Sequence, residues 1–150
     1  MSSAASTETL NEASGPAGLA GAFAPDRSAT ICDSAMRYLH RIFLGLHEER
    51  LHVVFYDAWN RYLHDRTVAV GSIDEIALRA RFLLQEAFAL KAHGIVLAHN
   101  HLSGVCRPSG SDIHSTRRFA ALCREVDIVL IDHLIFTRQK GFSMRLGGYL

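Results

Sequence analysis

A chain of 150 residues with 49% hydrophobic side chains has the length of one domain and enough apolar content for a core without disulfides or an obligatory partner. Its 16 basic and 15 acidic residues leave a formal charge of +1, so overall charge gives no basis for non-specific capture of nucleic acid or an anionic membrane. Cys32, Cys106 and Cys123 are odd in number and form no C-x-x-C pair, which argues against a disulfide framework and a cysteine zinc site and fits a reducing cytoplasm. No basic-then-apolar leader opens the sequence, and no stretch nears the roughly 20 apolar residues of a membrane span, so a soluble, intracellular protein is expected.

Residues 1–27 are rich in Ala, Ser, Gly and Thr and lack a sustained apolar period, so they read as a tail that cannot repay its ordering entropy, ahead of a domain over 28–150. Ile31, Ala35, Tyr38, Leu39, Ile42, Phe43 and Leu46 recur at helical spacing, with Asp26 or Ser28 as N-cap. Leu51–Asp57 and Arg61–Val70, rich in β-branched and aromatic residues around a short break, predict an antiparallel hairpin. Ser72-Ile-Asp-Glu75 is a capping box opening a long helix that Gly94 can terminate as C′. Ile95–Ala98 is a short, wholly apolar run of the kind found in buried strands. Ile113 to Val126 carries a third helical period, Ile128–Phe136 a strand, and Phe142–Leu146 a closing strand. The order α-β-β-α-β-α-β-β predicts an α/β or α+β sheet with helices packed on it.

His99 and His101 follow the apolar run two residues apart, so strand alternation aims both imidazoles to one side. Asp112 comes eleven residues after His101, at the start of the third helix, where a loop through Gly104 and Pro108 can bring its carboxylate back. Two histidines and a carboxylate with one open position is the pattern of a catalytic zinc site. Each piece also has an ordinary explanation: strand-end histidines with backbone partners, and Ser109-Gly-Ser-Asp112 as a capping box.

The combination decides between them. His99-Asn-His101, seven residues, Ser109, two residues and Asp112 resembles the H-x-H-x7-S-x2-D motif of JAB/MPN metalloenzymes, and His99-Asn-His-Leu-Ser-Gly104 is similar to the H-N-H-P-S-G variant of RadC proteins. Glu49-x-Leu51-x-Val-Val-x-Tyr-Asp57 and Asp132-His133-Leu-Ile135 extend the likeness over residues 28–150. The resemblance implies a JAB/MPN-like (cytidine deaminase-like) mixed β-sheet flanked by helices, with Zn2+ on His99, His101 and Asp112. It implies a zinc-dependent hydrolase of peptide or isopeptide bonds, acting on a peptide or protein. Glu49 takes the general-base position; its neighbour Glu48 projects to the opposite face, and the register of Val53, Val54 and Asp57 on the family pattern selects Glu49. In that chemistry the metal lowers the pKa of water toward neutrality and polarises the carbonyl, Glu49 carries the proton to the leaving amine, and Ser109 donates to the oxyanion.

Leu102 stands where the family usually has Pro, which removes a fixed φ from the loop after the histidines. The helix-hairpin-helix module that precedes this domain in RadC proteins has only the low-complexity tail in its place, so nucleic acid is a weakly supported partner. Asp132 and His133 are candidates for orienting a ligand imidazole or, equally, a satisfied polar pair. Arg107, Arg117 and Arg118 are expected near the cleft, as attractors of an anion or as a solvated face. The other function the sequence allows is a non-catalytic metal-binding module serving DNA repair and processing or protein assembly.

Overall fold

The computed structural model describes residues 25–70 and 76–150. The order is α1 (Pro25–Phe43), β1 (Arg50–Tyr56), β2 (Tyr62–Val70), α2 (Ile76–Ala89), β3 (Gly94–Asn100), α3 (Gly110–Glu125), β4 (Val129–Phe136) and β5 (Gly141–Ser143). The five strands form one sheet in the order β2-β1-β3-β4-β5. Only β3 and β4 run parallel, because α3 supplies the crossover between them; the other neighbours are antiparallel.

Strand alternation divides the core into two. Leu51, Val53, Phe55, Ile95 and Leu97 face α2 and α3, where Leu83, Ala87, Phe119 and Cys123 cover them. Val54, Tyr56, Val96, Ala98, Leu134 and Phe136 face the opposite way and are covered by Ile31, Cys32, Ala35, Leu39 and Phe43 of α1. The mixed sheet is thus flanked by helices on both faces, in keeping with the sheet with packed helices expected from the element order and the mixed sheet that the resemblance implies.

Several boundaries differ from the pattern. Helix α1 is described from Pro25 onward, so Asp26 and Ser28 lie inside the helix rather than capping it, and three residues of the expected tail belong to it. The capping box Ser72–Glu75 falls outside the described residues. Gly94 is not the C′ residue of α2: the helix stops at Ala89, and Lys91 takes the left-handed conformation at φ 54°. Gly94 instead opens β3, where a Cβ would lie 2.6 Å from Ile131 Cδ1. Strand β5 ends at Ser143, and Met144–Leu146 turn away from the sheet.

That turn is held by Asp132, which is fully buried on the α1 side of β4. Its carboxylate accepts from the Ser143 hydroxyl, the Arg145 amide at 3.0 Å, its neighbouring amide at 2.7 Å and Cys32 Sγ at 3.4 Å. One side chain therefore ties α1, β4 and the turn after β5. Asp132→Ala leaves those donors buried without an acceptor and is expected to cost about 2–4 kcal/mol of unfolding free energy, measured by urea denaturation; a change below about 0.5 kcal/mol would contradict this role.

Candidate metal centre

His99 is the penultimate residue of β3 and points to the α2/α3 side of the sheet, like Ile95 and Leu97 before it. His101 lies just past the strand, and its backbone amide still donates to Phe136 O at 2.8 Å, which keeps the chain extended and its ring on the same side. The two Nε2 atoms are 2.7 Å apart. Asp112 arrives from the first turn of α3, with Oδ1 3.5 Å from His99 Nε2 and Oδ2 3.4 Å from His101 Nε2.

The helix cap and the converging carboxylate, rival explanations for the sequence, are one structure. Ser109 is the N-cap: its hydroxyl accepts from the Asp112 amide at 3.0 Å, while Asp112 Oδ2 accepts from the Ser109 amide and hydroxyl, both at 2.7 Å. The box fixes the carboxylate with Oδ1 toward His99 and Oδ2 toward His101.

Proton positions follow from the surrounding acceptors. His101 Nδ1 is 2.9 Å from Val105 O, a carbonyl that can only accept, so Nδ1 carries the proton and the neutral ring presents a lone pair at Nε2. Behind His99, the Thr116 hydroxyl donates to Met144 Sδ at 3.8 Å and lies 2.7 Å from His133 Nδ1. With the Thr116 proton on Met144 Sδ, its oxygen can accept from His133 Nδ1–H and His133 Nε2 from His99 Nδ1–H at 2.7 Å, the ordering that leaves a lone pair at His99 Nε2 for a cation. His133 is fully buried, and desolvation above all pushes its pKa well below the usual value, so it stays the neutral ring this ordering needs.

Both Nε2 lone pairs and the Asp112 carboxylate consequently point at one place, and such a set requires a cation or a proton. The charge balance of the cluster carries the same demand. The hydrogen bond to Asp112 raises the His101 pKa against the effect of burial, with help from Val105 O and the Asp112 and Glu49 charges. Burial alone would raise the Asp112 pKa, but hydrogen bonds from His101 and His99 hold it far below the carboxylate range. Metal–ligand bonds of about 2.0–2.1 Å at tetrahedral angles separate donors by about 3.3 Å. Two of the three separations here are close to that, and the two imidazole nitrogens, 2.7 Å apart, need to part by about 0.6 Å. His99, His101 and Asp112 could therefore hold a metal ion.

Glu49 precedes β1. The β1–β3 register pairs Leu51 with His99, and continued by two residues it sets Glu49 across from His101. Its Oε1 accepts from the Leu102 amide at 3.3 Å. Glu48 turns outward to Arg50 Nη2 at 2.6 Å, so it is Glu49 that lies beside the histidines. Asn100, between the two histidines, projects to the other face and clips this segment: Oδ1 accepts from the Arg50 amide at 2.7 Å and Nδ2 donates to Glu48 O at 3.0 Å.

These positioning roles of Asn100 and Thr116 went unrecognised in the sequence reading; only the interleaving of Asn100 within H-x-H hinted at one. Asp132 and His133 part company, since His133 backs His99 while Asp132 serves the opposite face. Arg117 lies away from the cleft, its Nε donating to Tyr149 O at 3.0 Å. His52 is buried against Asp65 at 2.6 Å, apart from the cluster. Cys32, Cys106 and Cys123 are free, and burial raises the pKa of each.

The comparison with known families bears directly on this geometry: the RadC-like JAB domain model matches residues 29–149. The chain belongs to the RadC-like JAB family. Relatives of the RadC-like JAB domain described here include UPF0758 proteins, a name that states no activity. One from Ruegeria pomeroyi is 33% identical over 118 residues, 79% of this chain and 53% of the relative. Another, from Geobacillus thermodenitrificans, is 32% identical over 83% of this chain and 56% of its own length, and a third, from Aquifex aeolicus, is 35% identical over 68% and 44%. The chain spans about half the length of these curated relatives. Among the described residues no helix of this RadC-like domain is long and apolar enough to cross a membrane.

Thr116→Val keeps the shape but leaves His133 Nδ1–H without an acceptor and frees the His99 tautomer. Metal affinity, measured by competition with a chromogenic chelator, is expected to fall about tenfold or more and to recover in Thr116→Ser; equal affinity in all three proteins would refute the tautomer argument.

Proposed function

We propose that this RadC-like JAB domain is a zinc-dependent hydrolase of peptide or isopeptide bonds. The observation that carries the reading is the convergence of two imidazole lone pairs and the Asp112 carboxylate beside Glu49. Three protein donors with an open position are the donor set of a hydrolytic zinc centre, whereas a structural zinc is closed by a fourth protein ligand. When bound, the ion supplies Lewis acidity and lowers the pKa of water toward neutrality.

The chain's own groups do the rest. Glu49, held by the Leu102 amide and the Asn100 clip, takes the proton from the attacking water and returns it to the leaving amine. Ser109 is exposed at the mouth of the site and now gives its hydroxyl proton to Asp112 Oδ2. Rotation of that hydroxyl lets it donate to the oxyanion, a contact typically worth about 3 kcal/mol when it is made only in the transition state. The Ser109 amide keeps hold of Asp112 meanwhile, so rotation does not release the carboxylate.

Two measurements test the reading separately. Metal analysis of protein purified from metal-replete medium is expected to find one zinc per chain, lost in His99→Ala and Asp112→Ala with helicity retained; protein without metal overturns the centre itself. Against fluorogenic peptides and isopeptide-linked conjugates, Glu49→Gln is expected to retain metal while kcat drops by about 10²–10⁴. Full activity in Glu49→Gln, or no turnover by the zinc-loaded protein across both substrate classes, would leave a metal-binding module that does no hydrolysis.

A further inference from the structure

At the far end of α3 from Asp112 lies a cavity of about 540 Å³, lined by Arg117 and Arg124 of α3, Val129 and Leu130 of β4, and Arg145 and Tyr149 of the C-terminal turn among others. Its volume is in the range of small-molecule sites. Asp112 and Arg124 are twelve residues apart on one helix, about 18 Å at the helical rise, and none of His99, His101, Asp112 and Glu49 lines the cavity.

Three guanidinium groups border it, and among the described residues no Asp or Glu side chain does; Leu150, with its α-carboxylate, lines it as well. Two of the guanidinium groups are held by backbone. Strand β4 carries an extra residue at Ile131, where Ile95 pairs with Leu130 but Val96 with Asp132, and β5 pairs only with residues 134–136. The carbonyls of Leu130 and Ile131 are taken instead by Arg145, through Nη2 at 2.8 Å and Nε at 2.5 Å. Arg117 Nε donates to Tyr149 O, which leaves both of its terminal nitrogens available. The side chain of Arg124 makes no hydrogen bond or ion pair among the described residues. Much of the side-chain entropy that a cationic site normally loses on binding has therefore been lost at folding.

The three guanidinium groups outnumber the one α-carboxylate that Leu150 brings to the lining, so the cavity favours an anion. A single carboxylate offsets one of the three charges; a phosphate monoester or diphosphate carries two or three and presents tetrahedral oxygens that several forks can share. The apolar floor of Ala120, Val129 and Leu130 gives an organic portion a place to lie. We propose that this cavity is a binding site for a phosphate group of at least two negative charges, borne either by a small phosphorylated metabolite or by the terminal phosphate of a nucleic acid.

The test is calorimetric titration of the full chain with pyrophosphate in 0.15 M salt, with acetate as the singly charged control. Arg124→Glu and Arg117→Gln are the variants of choice, because Arg145 also satisfies strand carbonyls and its loss threatens the fold. Saturable binding, weakened at least tenfold in both variants, unchanged in Asp112→Ala and absent for acetate, supports the site. Binding lost in Asp112→Ala but kept in the arginine variants places pyrophosphate at the metal centre and overturns the proposal, as does acetate binding equal to pyrophosphate or no binding at all. Adenosine monophosphate and a 5′-phosphorylated oligonucleotide, titrated in parallel, distinguish the two sources. Circular dichroism confirms that each variant is folded.

Discussion

Everything chemical in this molecule depends on three lone-pair donors being held at one point by groups that cannot follow them. His99 is committed by the buried chain through His133 and Thr116 to Met144, His101 by a loop carbonyl, and Asp112 by the first turn of α3. None can reorient its donor without breaking a hydrogen bond, and for His99 that bond lies where water cannot replace it. The cost of bringing lone pairs and a carboxylate together is borne by the packing of the sheet against α3, and a bound cation recovers it. A centre assembled in this way loses little conformational freedom when its ion arrives.

The sheet makes the arrangement possible through register and one irregularity. Leu51 pairs with His99, so continuing β1 backwards brings Glu49 opposite His101 without any special loop. In β4, strict alternation from Leu130 on the α3 side would put His133 on the α1 side. The extra residue at Ile131 shifts the phase, so that Ile131 and Asp132 both face α1 and His133 falls under His99. The same irregularity leaves two carbonyls for Arg145. A single inserted residue therefore supplies both the support for one ligand and an anchor at the other end of the helix.

How far the sequence revealed this follows from what its signals encode. Apolar periodicity located the elements, and the spacing of His99, His101 and Asp112, read through the family likeness, picked out the group that the fold brings together. Alternation puts Asp132 and His133 on opposite faces, but periodicity says nothing about which strands are neighbours, nor about a bulge, so it does not tell which of the two backs a ligand imidazole. Gly94 looked like a helix stop because that is its commonest use, whereas its missing Cβ admits Ile131. Thr116 carried no signal: a threonine within an amphipathic helix reads as packing until the buried ring beneath it is known.

The cap at Ser109 and Asp112 shows why local and functional readings of a motif need not compete. An N-terminal carboxylate favours the helix through its hydrogen bonds and the positive end of the dipole, and these same contacts restrict the carboxylate to one orientation. Asp112 has two oxygens, and the cap draws chiefly on Oδ2, which leaves Oδ1 directed at His99. A ligand anywhere else on α3 would need a separate device to fix its rotamer. At this position the device is the helix start itself, so the segment that ends the loop also sets the geometry of the ion site, and a loop altered by Leu102 in place of proline can vary without disturbing it.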